Sequence, residues 1–461
     1  YNHGAVYLEN DEALVYWQDN RWGESKIYGS KITSSFDGTG DIFSEDANGQ
    51  LLTSLSLAQE TPKAILAGNK IFLSYKVEES PNENLYFQLL NLDLSLNGNA
   101  VALADPSTSK QGFDMTLGED AYIYYAYSEN YDISIKKISS SGEVEWSVLA
   151  VDNSADDIIK AIYPYPGSGC VIIYESQSFI EGSHIYALAI DETGQIPIGW
   201  PVMISDLAGN QYYESSALAG SGVFVSFKDN TTNNYDVYGQ HILFAGNLDF
   251  VSSGVAIASD TGDEKSSAVA YSQEQDEVLI CYEVPDGSET DIFCNEINLS
   301  NQSVDVPIVL SDNIFSQENP FVYWSGQSFM IVWEDSRNTA TLNSGVDIYF
   351  QEYKDDAISF PFGGQAITTF TQKQESPIIA RYSGRSLIII WEDYRSTGKE
   401  FCANLYGQSF STCSALGDLN GDGGWNVLDI VTLANCVLTE NCAELENGYA
   451  GDLNGDDDWN I

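Results

Sequence analysis

One pattern of apolar and polar positions recurs along the chain. A run of apolar residues ends in an aromatic and often an acid, a polar turn follows, and a second run of the type Asp-Ile-Tyr-x-Gln comes next. The fullest copies are LVYWQDNRWGESKIYGS (14–30), FMIVWEDSRNTATLNSGVDIYFQ (329–351) and LIIIWEDYRSTGKEFCANLYGQ (387–408). Weaker copies are IFLSYKVEESPNENLYFQ, YIYYAYSENYDISIK, VIIYESQSFIEGSHIYAL, VFVSFKDNTTNNYDVYGQ and VLICYEVPDGSETDIFCN. Aligned on the second run, the anchors are Tyr28, Tyr86, Ser134, Tyr186, Tyr238, Phe293, Tyr349 and Tyr406, giving eight copies spaced 48 to 58 residues apart. Each unit opens with an extra run such as ENPFVYW or ESPIIARY, and the first seven close with another, such as AVALA, VPIVL or QAITTF.

Four short strands per repeat, rich in Val, Ile, Tyr and Trp and bounded by Gly, Asn, Asp and Ser, predict an all-β chain. One four-stranded sheet cannot bury both faces, but eight packed radially can. The expectation is a β-propeller of about eight four-stranded blades over residues 1–412, with seven blades as the alternative count. A parallel β-helix would need shorter, more uniform coils, and a row of sandwiches about 100 residues per unit.

The Trp-Glu-Asp-x-Arg copies resemble the bacterial secreted propellers that carry repeated W-x-D-x-R and D-I-Y-x-Q motifs. The resemblance covers residue 1 to about residue 410. Trp17/Asp19/Arg21, Trp333/Asp335/Arg337 and Trp391/Asp393/Arg395 match in full, and the five middle blades lack the Arg. In the structural reading, Asp and Arg pair across the hairpin turn and Trp packs between blades. The functional alternative is a ring of ligand-binding carboxylates. After Tyr406 the chain runs into SFSTCSALGDLNG with no evident fourth strand, and YNHGAVYLEN begins in time for the first strand of blade one. Blade eight is therefore expected to be three-stranded or to take a strand from elsewhere at its open edge.

Composition adds a compartment and excludes some partners. The 461 residues carry 68 acidic and 19 basic side chains, a formal charge of −49. Nucleic acid is excluded as a partner, because binding it needs clustered Lys and Arg. The same balance disfavours anionic membranes. No apolar run approaches the roughly 18 residues of a membrane span, and a first residue of Tyr instead of Met points to a processed N-terminus. Six of seven cysteines form near pairs: Cys281 with Cys294, Cys402 with Cys413, and Cys436 with Cys442. Cys170 is left over. Close pairs without CxxC or nearby His read as disulfides of an oxidising compartment. Zinc is disfavoured, since His3, His184 and His241 are the only histidines and none has ligand spacing.

Near the C-terminus, GDLNGDGGWNVLDIV (417–431) places an Asp or Asn at every second position. With Asp418 as position 1 of a twelve-residue loop, Asn420, Asp422, Gly424, Asn426 and Asp429 fall at positions 3, 5, 7, 9 and 12, the EF-hand calcium pattern. Alternation follows because such a loop wraps the ion and turns every second side chain inward. Gly423 allows the sharp bend, Gly424 offers its carbonyl and Asn426 acts through water. Oxygen-only ligands select Ca²⁺ over transition metals. The following helix places Val427, Ile430, Val431, Ala434 and Leu438 on one face. Loop, helix and second loop resemble the dockerin module of bacterial secreted proteins, which duplicates this unit. The resemblance implies a second calcium loop at Asp452, Asn454, Asp456, Asp458 and Asn460, with Asp457 where Gly is expected and position 12 beyond Ile461. Residues 413–461 thus read as a dockerin-like module whose second repeat is incomplete in a longer original. Cellulosomal dockerins commonly carry Ser-Thr at loop positions 10 and 11, and Val427 and Leu428 there disfavour a cellulosomal cohesin.

Enzyme motifs are sparse. HExxH, the G-x-S-x-G elbow and the P-loop are missing, and SFDGTGDIF begins like a sialidase turn and then departs from it. Of five arginines, Arg21, Arg337 and Arg395 belong to the repeat motif, leaving Arg381 and Arg385 to hold a substrate carboxylate. A glycosidase needs only two carboxylates, and no pair stands out. Three functions remain. The first is non-enzymatic binding of an extracellular glycan or protein, with turn aromatics such as Trp22, Tyr212, Tyr213 and Tyr394 as contacts. The second is a structural subunit of a surface filament or layer, joined to copies of itself through the C-terminal module or the open last blade. The third is a glycoside hydrolase-like enzyme.

Overall fold

The computed structural model describes residues 2–8, 12–20, 23–33, 49–80, 82–259, 262–339, 345–382, 386–395, 403–411, 419, 427–439, 442 and 451. They form an eight-bladed β-propeller followed by one helix, Val427–Thr439. Blade one consists of the strands His3–Tyr7, Glu12–Asp19, Lys26–Thr33 and Gln50–Leu51, ordered from the channel outward. Blades two to seven repeat this antiparallel meander.

The repeat anchors land on one structural position. Each lies on the third strand, opposite the aromatic of the second: Trp17–Tyr28, Tyr75–Tyr86, Tyr127–Ser134, Tyr174–Tyr186, Phe227–Tyr238, Tyr282–Phe293, Trp333–Tyr349 and Trp391–Tyr406. Five of these pairs stack with ring centroids 5.5 to 6.5 Å apart. Directly opposed aromatics are among the stronger cross-strand pairs. The second strands have a blade on either side, so both of their faces are buried; in Phe329–Asp335 every residue is. That explains their unbroken apolar runs.

The outer strand is short except in blade three, where it runs Val144–Val151. In blades five to seven it is split in two, as in Asn247–Leu248 and Val255–Ala258, which both pair with Asp236–Leu243. A buried carboxamide two residues after the anchor spans the break. Gln240 donates to Val251 O (2.8 Å) and accepts from the Phe250 amide (3.2 Å); Gln351 does the same with Phe360 O and N. This is the Gln of the Asp-Ile-Tyr-x-Gln pattern.

Apolar clusters fill the interfaces between blades, one of them continuous through blades three, four and five, and another closes the ring. There Ala13, Val15, Trp17 and Ile32 of blade one pack on Tyr382, Ile388, Ile390 and Leu405 of blade eight. Blade eight has three strands among the described residues, Gln374–Arg381, Ser386–Asp393 and Asn404–Ser411, and exchanges none with blade one. Among those residues the ring is closed by this packing and by no shared strand.

Two of the three expected disulfides are formed, Cys281–Cys294 and Cys436–Cys442. Cys413 lies outside the described residues, and so does Cys402, so a link between Cys402 and Cys413 is not part of the fold described here. Cys170 is a free, buried thiol whose pKa burial drives up.

Candidate functional site

The second strands end, and the connections between blades begin, on one face of the ring. The Trp-x-Asp-x-Arg motif sits there. The Trp333 indole donates to Asp335 Oδ2 at 3.0 Å, the Trp391 indole to Asp393 at 3.0 Å and the Trp17 indole to Asp19 at 3.3 Å. The arginine does not pair across the hairpin as the sequence suggested. It sits two residues beyond its aspartate in the same turn, so its own amide and its Nε both reach that carboxylate. These distances are 2.9 and 2.8 Å for Arg337, and 2.8 and 2.8 Å for Arg395. Its Nη2, which also donates to that carboxylate, crosses to the preceding blade, Arg337 Nη2 to Ser311 Oγ (3.2 Å) and Arg395 Nη2 to Thr368 Oγ1 (2.9 Å). Each guanidinium lies over its anchor tyrosine, Cζ 3.9 Å from Tyr349 and 4.3 Å from Tyr406. Engaged in these contacts, Arg337 and Arg395 tie blades together. Arg21 and Trp22 lie outside the described residues.

The residue after the second-strand aromatic makes a further link that sequence reading missed. Glu175, Glu283 and Glu334 each accept a backbone N–H from the first strand of the next blade: Tyr213 at 2.7 Å, Asn319 at 2.9 Å and Ser376 at 2.9 Å. The donors lie at register shifts in those strands, and Asn319 and Ser376 adopt φ of 52° and 55°. A bulge leaves an unpaired amide that needs an acceptor. The signal in the sequence was Glu-x-Pro, at Glu318–Pro320 and Glu375–Pro377. Burial pushes the Glu334 carboxyl up to about 7 and raises Glu283 as well. At the closing interface His3 Nδ1 stands 3.7 Å from Glu392 Oε1.

The turn aromatics are packed more than displayed. Tyr394 is buried and carries Lys373 Nζ 4.5 Å from its ring centre. Tyr212 makes an edge contact with Tyr235 at 6.0 Å, and the Tyr213 hydroxyl hydrogen-bonds Ser216 at 2.7 Å.

Of the calcium-loop residues, Asp429 alone is described; Asp418, Asn420, Asp422, Gly424, Asn426, Asp452, Asn454, Asp456, Asp458 and Asn460 lie outside the described residues. Asp429 sits in the first turn of the helix, 3% exposed. Its apolar neighbours face out: Val427, Leu428, Ile430, Val431 and Leu438 are 49 to 80% exposed. The Cys436–Cys442 disulfide fastens the end of this helix to the residues that follow. No helix among the described residues is long and apolar enough to cross a membrane.

No protein-family model matches the chain, and no curated protein does. Solved propellers do. The Dos1 propeller aligns over 89% of this chain and 92% of its own, at 10% identity and a TM-score of 0.53, which supports the fold. The polysaccharide lyase Uly1 (8% identity, 79% and 93% covered, TM-score 0.45) and a manganese-bound oligogalacturonate lyase (11%, 89% and 98%, 0.43) are more distant. Enzymes and a WD40 domain thus occur side by side among the neighbours.

Proposed function

We propose that this chain is a secreted, calcium-binding attachment protein of the bacterial surface, with the propeller as a rigid scaffold for non-enzymatic binding of an extracellular glycan or protein. The observation that carries this is the bare helix. Five large apolar side chains stand in water on one helix of a chain with charge −49, and exposed apolar patches of this kind mark interaction sites. The alternating Asp/Asn loop before it, from Asp418 to Asp429, and the inward turn of Asp429 support a calcium ion that orders this helix. The two disulfides are compatible with an extracellular setting. The motif face serves the ring itself, since its arginines and glutamates are engaged between blades.

A second reading, a subunit of a filament or surface layer, is favoured by blade eight. Its third strand Asn404–Ser411 has no outer partner among the described residues, and such an edge accepts a strand from a second copy. A hydrolase would need two carboxyls free to reach one bond. Glu283 and Glu334, whose raised pKa would suit an acid, are each held by a backbone amide of the next blade.

Calcium titration calorimetry on Asp418→Ala and Asp429→Ala tests the metal part. Each variant should lose one binding site while the propeller stays folded. An unchanged number of sites would refute the loop.

A further inference from the structure

The six-residue connection between blades repeats around the ring, and at two interfaces, Asp157 and Glu264, a carboxylate stands where the others place a donor. Its last residue, the first buried position of the next blade, is Gln59, Lys110, Asp157, Gln211, Glu264, Gln317 or Gln374. These positions are equivalent. The amides of Gln59, Asp157, Glu264 and Gln374 all donate to the residue that precedes the third strand of the previous blade: Ser25, Tyr131, Tyr235 and Val346.

Where the residue is Gln, its Nε2 donates inward to the connection's own carbonyls, four and two residues back. Gln211 reaches Leu207 O (2.9 Å) and Gly209 O (3.1 Å); Gln317 reaches Asn313 O (3.2 Å) and Phe315 O (2.6 Å); Gln374 reaches Phe370 O (3.5 Å) and Gln372 O (2.8 Å). Six residues back stands a hydroxyl, Thr53, Ser205, Ser311 or Thr368. In two of these it donates to the Gln Oε1, Thr53 at 2.6 Å and Ser311 at 3.3 Å. In blade three Lys110 Nζ supplies the positive end, to Asp105 O and Thr108 O at 2.6 and 2.8 Å. The position is built for a donor.

Asp157 puts an acceptor there. It is fully buried, and neither carboxylate oxygen has a hydrogen-bond partner. The residue six back is Val151, so the hydroxyl is missing too. Burial raises its pKa; Ser176 and Asn153 are near enough to act against that rise, and Asp132 and Asp156 add negative charge. The positions four and two residues back, whose carbonyls the Gln amides reach in other connections, are here Asn153 and Ala155. A buried carboxylate with no basic side chain paired to it is expensive to bury. The same oxygen set is what a hard cation wants.

We propose that the interface between blades three and four binds a calcium ion at Asp157, with Asp132, Asn153 and the connection's carbonyls completing the oxygen shell. The ion does there what the Gln amide or the Lys ammonium does in the neighbouring connections. This site is separate from the loop at Asp418–Asp429 and does not depend on it. Among the described residues no three His, Cys, Asp or Glu side chains converge, so the shell is completed by carboxamide, carbonyl and water oxygens.

The test is the propeller's melting temperature with calcium chloride and with a chelator, followed by near-ultraviolet circular dichroism on the full chain. In the Asp418→Ala background, which removes the C-terminal loop, calcium should still raise the transition by about a few degrees. Asp157→Gln should melt higher than its parent in chelator and respond less to calcium. Asp157→Asn, nearly isosteric, serves as the second variant if Gln does not fit. An undiminished calcium response in these variants, or no response in the parent, would overturn the proposal. The second outcome would mean that Asp157 is kept neutral by a proton.

Discussion

At the scale of single residues, a short motif does a geometric task. Trp333 is fully buried between blades six and seven, stacks on Tyr349 and is hydrogen-bonded by its indole to Asp335, which in turn holds Arg337. Trp333→Ala should cost about 3–5 kcal/mol in urea unfolding, the range for a buried aromatic. Arg337→Lys should cost about 1.5–3 kcal/mol, because an ammonium cannot serve the carboxylate, Ser311 and the Tyr349 face together. A loss no greater than a surface substitution would mean the motif is not holding the ring. Much of this was legible: the Trp, the Asp and the Arg recur at fixed spacing, and a fixed spacing reports a shared contact. The role of Glu334 was hidden, because its partner is a backbone amide of another blade and the sequence records no register between blades.

At the scale of the element, strand identity was readable and strand completeness was not. The second strands announce themselves by apolar runs buried on both faces. The outer strands are as short as two residues and are held by Gln240 and Gln351, so their pattern is too weak to separate from a loop. Blade six shows how one covalent link reinforces a hairpin. Cys281 and Cys294 are directly opposed on its second and third strands. They are 13 residues apart, and closing a loop of that size in the unfolded chain is worth about 3 kcal/mol in the chain-entropy model. The double variant Cys281→Ala/Cys294→Ala should lose about that much in urea unfolding without reductant. Equal stability would show that the bond constrains nothing. Proximity in sequence was enough to pair these two, because they face each other across a tight hairpin. Proximity alone does not settle Cys402 and Cys413, for which no opposed strand positions are described. The C-terminal loop was the clearest metal pattern in the sequence, and its helix lies in the expected place, Val427–Thr439. That helix leaves its apolar face bare, which periodicity alone could not reveal.

At the scale of the whole molecule, charge and closure dominate. Burial raises the carboxyls of Glu334 and Glu296 to about 7 and, with nearby acids, Asp291 to about 6. A carboxyl with a higher pKa folded than unfolded binds its proton more tightly in the fold. It therefore stabilises the fold in acid, and that contribution fades as pH rises through the folded value. Repulsion within a chain of charge −49 works in the same direction. The melting temperature should rise as pH falls from 8 to 5, and Glu334→Gln, which keeps an oxygen for the Ser376 amide, should flatten that slope. A melting temperature that falls over the same range would contradict the assignment.

The ring itself carries the account. Eight repeats were legible because seven of them carry the aromatic pair and the eighth keeps its spacing; how the last meets the first was not, since closure involves residues at opposite ends of the chain. The structure joins them through Trp17, Ile390 and their neighbours and through no shared strand among the described residues. The most direct measurement is negative-stain electron microscopy of the natively secreted protein, in calcium and then in chelator. The account predicts closed, eight-lobed rings in both conditions, with the appended C-terminal feature changing in chelator. Open crescents, or rings with another number of lobes, would contradict it. Ordered polymers that dissolve in chelator would keep the ring and move its function from ligand binding to assembly.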